Sequence, residues 1–172
     1  MQRTSFHDAL CPIARGLDEI GEWWSLLILR DAFRGLTRFD EFQRSLGIAP
    51  NMLTRRLQRL AEAGLFVRKA YQERPVRYAY VLTEKGRALF PVIAALAAWG
   101  EEWVPRGTGF TLRSRDTGAP VRPLLTDALS GRAISPAHVE LTLSAEEKAA
   151  PVSAPVHPAA AAAARAKEST HE

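Results

Sequence analysis

Residues 38–82 read RFDEFQRSLGIAPNMLTRRLQRLAEAGLFVRKAYQERPVRYAYVL, and this stretch decides the fold. Apolar residues at i, i+3 and i+7 predict a short helix that ends before Gly47. A second helix is predicted from about Asn51 to Ala63, and two strand-like runs follow, divided by Pro75. This order predicts a winged helix-turn-helix, a mainly α fold with a small β-wing (α+β).

The second of these helices has two contrasting faces. Leu53, Leu57 and Leu60 share one face at i, i+4 and i+7, which suits an anchor in the core. The opposite face carries long polar donors, as a helix needs if it enters the major groove of DNA. The alternative is an ordinary solvated helix face and a charged hairpin loop. The residues predicted to contact DNA are Arg38, Asn51, Thr54, Arg55, Arg56, Arg59, Arg74 and Arg77.

Positive charge is concentrated in the same region. Residues 51–87 contain nine Lys or Arg against three Glu, a net charge of +6. The whole chain carries +4, so the remainder carries −2. A basic second helix and strand pair match the electrostatic footprint of a nucleic-acid-binding face.

Helices are also predicted on both sides of this stretch. Two precede it, Asp8–Gly21 and Glu22–Arg34, and one long helix follows it from the N-cap Thr83. The second helix is apolar around most of its circumference, which predicts burial. The long helix carries more apolar surface than a small core needs, which favours a dimer seam over simple packing on the first two helices. The residues predicted to form a dimer seam or an effector pocket are Trp23, Trp24, Leu96, Trp99 and Trp103.

The composition of the whole chain and its motifs exclude several classes of function. The chain has 172 residues and 47% hydrophobic residues, which suits one globular domain with appendages. Its single cysteine excludes an internal disulfide, and no cluster predicts a metal site or a cofactor. Neither a nucleophile elbow nor a nucleotide-binding loop occurs, so an enzyme is not expected. With no signal peptide or membrane span recognised, the expected compartment is the cytoplasm.

The chain after the last predicted helix has a different sequence pattern. Short strand-like runs at 110–115, 121–125 and 138–143 are divided by Gly-containing turns, which predicts a small β-rich C-terminal appendage over 105–148. Residues 149–172 are biased in Ala and Pro and are predicted to be disordered.

Several motifs together resemble the HxlR-type winged-helix transcriptional regulators of bacteria. The resemblance covers about Cys11 to Trp103, within a predicted domain of residues 8–104. It implies a homodimer made by the first and last helices, two wings on a palindrome-like double-stranded operator, and most often repression. The motifs that carry it are Cys11-Pro12, Ile20-Gly21, Leu27-Ile28-Leu29-Arg30, Arg38-Phe39, Gly47-Ile48, Arg56-Leu57, Gly64-Leu65, Arg74-Pro75, Leu82-Thr83 and Trp99-Gly100.

Two further expectations come from the resemblance. Some members of the family sense oxidants or electrophiles through the cysteine that Cys11 matches, and a helix N-terminus favours thiolate chemistry. The alternative is a small residue packed at a dimer seam. The appendage resembles a zinc-ribbon-like element whose cysteine ligands have been replaced, and the alternative is an unrelated turn-rich tail. Without zinc, the element would need an apolar core made of Phe110, Leu112, Val121, Leu124, Leu125 and Ile134.

Two other functions remain open at this stage. The basic face could meet an acidic protein partner, because winged helices also serve as interaction modules. The same regulator could also bind a small molecule between its tryptophan-bearing helices.

Overall fold

The structure is a computed structural model that describes residue 6, residues 8–104 and residues 111–142. The chain divides into two compact units. Of the described residues, those up to Glu22 belong to one unit together with Leu141 and Thr142, and those between Trp23 and Glu140 belong to the other. The tail predicted to be disordered, residues 149–172, lies outside the described residues.

In the first unit, α1 spans Pro12–Ile20. The helix begins four residues later than the predicted start at Asp8. Proline disfavours helical backbone in the residue before it. Cys11 is accordingly extended (φ −66°, ψ 117°), and Pro12 occupies the first turn, where its missing N–H costs nothing.

The second unit holds the remaining elements. They follow in the order α2 (Trp23–Phe33), α3 (Phe39–Leu46), α4 (Pro50–Glu62), β1 (Phe66–Glu73), β2 (Val76–Leu82), α5 (Glu84–Arg87) and α6 (Phe90–Trp103). Gly47 ends α3 in the left-handed conformation (φ 61°), which glycine adopts without strain. The sequence prediction of a helix, a turn, a second helix and a hairpin is therefore confirmed.

The core of this unit lies under the helix-turn-helix. Phe42 of α3 and Phe66 of β1 meet edge to face, with ring centroids 6.4 Å apart. The leucine face of α4 is fully buried, as predicted. The buried apolar residues are Ile28, Leu29, Phe42, Ile48, Leu53, Leu57, Leu60, Leu65, Phe66, Ile93 and Ala94.

Helix α2 is buried or half-buried around most of its circumference, as predicted, although two of its residues differ from the usual polarity of core and surface. Trp23, at its start, is 75% exposed, whereas Asp31 near its end is fully buried. The Asp31 Oδ1 accepts hydrogen bonds from Arg30 Nε and Nη2 (3.0 and 2.9 Å) and from Arg34 Nη1 (3.0 Å). These two guanidinium groups supply the charge compensation that a buried carboxylate requires.

The wing is the antiparallel hairpin of β1 and β2. A bulge at Tyr71 interrupts its register, and the turn contains a cis Arg74-Pro75 bond. A third short segment joins the hairpin, because Arg38 forms a bridge with Ala79. Tyr80 N also donates a 2.7 Å hydrogen bond to the carbonyl of the residue before Arg38. The start of α3 is therefore fixed to the wing.

The long helix predicted after the wing is divided in two. Thr83 caps α5 as predicted, since its hydroxyl accepts a hydrogen bond from Gly86 N. A separate helix, α6, then begins at Phe90, with Pro91 in its first turn. Proline removes one helical hydrogen bond and clashes with the carbonyl four residues earlier, so one continuous helix cannot form across Pro91.

The described part of the appendage, residues 111–142, consists of turns closed by single bridges. The bridges are Arg113 to Pro120 and Thr126 to Ala133, thirteen residues apart in the sequence. The strand predicted over residues 121–125 is not formed, and Phe110 lies outside the described residues. The predicted apolar core is also not formed, because the remaining members of that set are exposed or half-buried.

Candidate nucleic-acid interface

The outward face of α4 is polar and basic. Asn51, Thr54, Arg55 and Arg59 are exposed, on the side of the helix away from the buried leucines. Thr54 Oγ1 donates a 2.9 Å hydrogen bond to the carbonyl of Pro50, one turn back. This bond occupies the Thr54 hydroxyl hydrogen, so Asn51, Arg55 and Arg59 carry the donors of this face.

Arg56 has a different environment. Its side chain is half-buried, and its Nε is enclosed by protein. A partly enclosed guanidinium is less able to reach a base edge than the exposed groups of Arg55 and Arg59. The structure therefore places Arg56 apart from the outward face of α4.

The tip of the wing is exposed. Arg74 and Arg77 flank the turn, and Gln72 Nε2 supports it with a 3.0 Å hydrogen bond to the carbonyl of Arg74. Behind the tip is an open cleft of about 370 Å³. The cleft is lined by Phe39, Asp40, Tyr71, Arg77, Tyr78 and Tyr80.

Two arginine side chains of the wing region lie over tyrosine rings. The Arg38 Cζ is 4.6 Å from the centroid of the Tyr71 ring, and the Arg68 Cζ is 4.1 Å from that of Tyr78. Sequence reasoning selected Arg38 as a DNA contact but assigned no such role to Arg68, Tyr71 or Tyr78. The signal for Arg68 was its place in a strand rich in positive charge, but its ring contact depends on the register of the hairpin.

The end of α4 is connected directly to the end of the wing. Thr83 Oγ1 donates a 2.6 Å hydrogen bond to the carbonyl of Gly64, and Lys85 Nζ donates a 2.8 Å bond to the carbonyl of Ala63. These bonds use carbonyl groups that a helix C-terminus leaves unpaired. They hold α4 and the wing in one fixed arrangement.

Helix α3 is capped by its own acidic side chain. Glu41 Oε2 accepts hydrogen bonds from the backbone N–H groups of Thr37 and Arg38, both at 2.9 Å. The N–H of Thr37, then that of Arg38, lowers the pKa of Glu41 below its usual value, because both bonds favour the carboxylate. The capped start of α3 fixes the position of Arg38.

The predicted tryptophan pocket is not enclosed. Trp99 and Trp103 are 56% and 67% exposed on α6, together with the half-exposed Leu96. A small cavity of about 170 Å³ does lie between α2 and α6. It is lined by Leu26, Leu27, Arg30, Ile93, Leu96 and Ala97, so of the predicted set Leu96 borders it.

The remaining predicted features concern Cys11, metal binding and membrane spans. Cys11 is half-buried at the residue that precedes α1 in the first unit. Within the described residues, no group of three or more His, Cys, Asp or Glu side chains is placed to hold a metal ion. In that same part of the chain, no helix combines the length and the apolar character needed to cross a bilayer.

The fold and the basic face define a class, the winged helix-turn-helix transcriptional regulators. The chain belongs to the HxlR-like helix-turn-helix family, whose sequence profile matches residues 19–108. The family resemblance and the winged-helix fold predicted from the sequence are therefore confirmed.

Several known proteins are similar to this chain. The uncharacterized HTH-type transcriptional regulator Rv3095 of Mycobacterium tuberculosis is 43% identical over 129 residues, which is 74% of this chain and 82% of that protein. The crystal structure of PA1607, a candidate transcription factor, is 45% identical with a TM-score of 0.74, and the match covers 82% of this chain and all of PA1607. The redox regulator HypR in its reduced form is 35% identical with a TM-score of 0.51, over 54% of this chain and 92% of HypR.

Proposed function

We propose that this regulator binds double-stranded operator DNA in a sequence-specific manner, with α4 in the major groove. The observation that carries the proposal is the exposed basic face of α4, opposite a fully buried leucine anchor. An α-helix fits the major groove, where each base pair presents a distinct pattern of donors and acceptors. The fixed junction between α4 and the wing supports simultaneous contact by both elements.

The roles of the individual residues follow from their exposure. Arg55 and Arg59 contact guanine edges or phosphates, and Asn51 contacts an adenine edge or a phosphate. Arg74 and Arg77 grip the backbone or the minor groove beside α4. Thr54 and the half-buried Arg56 make at most phosphate contacts.

The test is a gel-shift titration of the full-length chain with the promoter of the neighbouring gene. Arg55→Ala and Arg59→Ala should each weaken binding by about 1–3 kcal/mol if the contact is bidentate to a base. Arg115→Ala, an exposed arginine of the appendage, is the matched control. Unchanged binding in both α4 variants would remove this helix from the groove. Binding to an acidic protein but to no DNA would favour the interaction-module alternative.

The same proposal includes a homodimer formed through α6. Its exposed side chains form an apolar surface that an isolated subunit would leave in water, and such surfaces mark interaction sites. The members on this side of α6 are Val92, Leu96, Trp99 and Trp103. A Trp99→Glu variant should be monomeric by light scattering, whereas Leu129→Glu on the exposed appendage should not change the mass. A dimer that survives Trp99→Glu would contradict this seam.

The expected outcome of operator binding is repression, in which the dimer blocks access of RNA polymerase. The measurement is in vitro transcription from the bound promoter at increasing protein concentration. A rise in transcript would instead identify an activator.

A redox effector is the second candidate, favoured by the similarity to HypR. Diamide would take two electrons and two protons from the Cys11 thiols of two subunits, forming one disulfide and a hydrazine. Oxidation should yield a covalent dimer on a non-reducing gel and change DNA affinity, and Cys11→Ser should do neither. An unchanged thiol titre together with unchanged DNA affinity would eliminate this effector.

We also infer that the appendage is a ribbon-like element whose turns are held by hydrogen bonds, with neither zinc nor the apolar core that the sequence predicted. Its two turns repeat one hydrogen-bond pattern, in which the side-chain oxygens of Ser114 and Asp127 each accept bonds from the backbone N–H groups two and three residues later. These oxygens occupy equivalent positions in the two turns. Metal analysis that finds stoichiometric zinc in the purified protein would overturn this inference.

A further inference from the structure

The wing carries an arginine supported by a tyrosine ring on each of its two faces. Paired residues in an antiparallel hairpin share a face, and successive residues alternate between faces. Arg68 pairs with Tyr80, so Arg68 and Tyr78 lie on one face. Arg38 pairs with Ala79, which lies between those tyrosines and therefore belongs to the opposite face.

The two supported guanidinium groups also lie at the same level of the hairpin. Tyr71 is the extra residue of the bulge and is level with Tyr78. Tyr78 is two residues from Val76, where β2 begins, a distance of about 7 Å along the strand. The backbones of Arg38 and Arg68 lie farther from the tip, so both side chains lean toward it.

A ring contact of this kind prepares a guanidinium for phosphate. The quadrupole of the ring attracts the cation over its face and restricts its position. The N–H donors of the guanidinium lie in its own plane, so stacking leaves them available for bidentate bonds to phosphate oxygens. An arginine that is already ordered also loses less conformational freedom when it binds.

The two-sided arrangement matches the geometry of the minor groove. That groove is about 6 Å wide in B-DNA and is bounded by one sugar–phosphate backbone on each side. When the tip of a hairpin enters the groove, one face of the hairpin lies next to each of the two DNA strands. Lys69, exposed on the same face as Arg38, adds positive charge to that side.

We propose that the wing straddles the minor groove, with Arg38 and Arg68 binding phosphates of opposite strands. Tyr71 and Tyr78 are positioning residues that hold the two guanidinium groups. The proposal rests on the proposed function, since it requires DNA as the partner. It adds Arg68 and both tyrosines to the interface.

The first test maps phosphate contacts by ethylation interference. It uses the full-length chain and a double-stranded oligonucleotide obtained by in vitro selection with that chain. Within each half-site of the operator, Arg38→Gln should abolish interference at a phosphate on one strand, and Arg68→Gln at a phosphate across the minor groove on the other strand. Loss on the same strand of a half-site in both variants, or no loss in either, would overturn the proposal.

The second test measures the salt dependence of the affinity. Each lost phosphate contact should reduce the slope of log K against log salt by about one for each subunit bound. Arg38→Gln and Arg68→Gln should each show this reduction, and the double variant should show their sum. Arg115→Gln, which removes the same charge from the appendage, should leave the slope unchanged. Equal slopes for the wild type and the two wing variants would contradict the proposal.

The third test separates the ring from the hydroxyl of each tyrosine. Tyr78→Phe keeps the ring face and should bind as the wild type does. Tyr78→Leu should bind several-fold more weakly, with weaker interference only at the phosphates assigned to Arg68 in each half-site, and Tyr71→Leu should do the same at those assigned to Arg38. Equal losses in Tyr78→Phe and Tyr78→Leu would overturn the positioning role. If the wild type selects no DNA at all, the proposed function fails; if it binds but these variants change nothing, this inference alone fails.

Discussion

The hydroxyl of Thr83 donates a 2.6 Å hydrogen bond to the carbonyl oxygen of Gly64, nineteen residues earlier in the chain. This bond joins the residue after the wing to the second residue after the end of α4. The same hydroxyl accepts a bond from Gly86 N and so caps α5. One side chain thus fixes α4, the wing and α5 relative to one another.

Replacing Thr83 with valine should therefore destabilise the fold. The shape of the side chain is kept, but both the cap and the bond to Gly64 are lost, for a total of about 1–2 kcal/mol. The measurement is the free energy of unfolding in urea. Thr83→Ser keeps the hydroxyl and serves as the control. The role assigned to this bond fails if the two variants are equally stable.

Gly86 should not tolerate a side chain. A Cβ at this position would overlap the carbonyl oxygen of Leu65 and lie 3.0 Å from Leu82 Cδ2. Gly86→Ala should cost about 1–3 kcal/mol, because the backbone of Leu65 must move.

Gly16 provides the matched control for this substitution. It lies inside α1, and nothing lies within 4 Å of a Cβ built there. Gly16→Ala should be neutral or stabilising by up to about 1 kcal/mol, since alanine favours helix. Equal melting temperatures for the Gly86 variant and the wild type would contradict the close approach to Leu65.

The two arginine partners of the buried Asp31 should contribute unequally to the stability of the fold. Arg30 donates two of the three hydrogen bonds to Oδ1 and its side chain is 28% exposed, whereas Arg34 donates one and is 50% exposed. Arg30→Met should leave the buried carboxylate undercompensated and cost roughly 3 kcal/mol or more. Arg34→Met should cost less than about 1 kcal/mol.

A double variant tests the cause of that difference. Replacing both members of a buried pair with apolar residues is often close to neutral. Arg30→Met combined with Asp31→Leu should therefore be more stable in urea than Arg30→Met alone. A double variant that is less stable than Arg30→Met would show that the carboxylate is not the source of the loss.

Periodicity in the sequence was sufficient to predict the main elements of the winged helix-turn-helix. The helical spacing of Leu53, Leu57 and Leu60 gave the buried anchor of α4, and Pro75 gave the turn of the wing. These features depend on local pattern, and local pattern is what a single sequence carries. Pro91 also indicated the break before α6, but the apolar stripe continues across it and led to the prediction of one long helix.

Two kinds of feature could not be predicted in this way. One depends on the register of the hairpin, and the other depends on the compensation of a buried charge. The contact of Arg68 with Tyr78 requires the hairpin register. The position of Tyr71 opposite Tyr78 requires a bulge, which an alternating sequence pattern does not reveal. Asp31 comes after an apolar run in the sequence, and a charged residue at such a position is normally exposed at the surface. Its burial depends on the guanidinium groups of Arg30, in the same helix, and of Arg34, just after the end of that helix.

The cap of α3 should give the protein a pH-dependent contribution to stability. The pKa of Glu41 is lowered by hydrogen bonds from the backbone N–H groups of Thr37 and Arg38. A lowered pKa in the folded state means that this stabilisation is fully present above the unfolded value of about 4.3 and is lost as pH falls through the folded value. Glu41→Ala removes the acceptor at every pH. The difference in unfolding free energy between wild type and Glu41→Ala should therefore be constant near pH 7 and shrink below about pH 4. A difference that stays the same in urea titrations at pH 7 and pH 3 would show that the carboxylate form of Glu41 does not stabilise the start of α3.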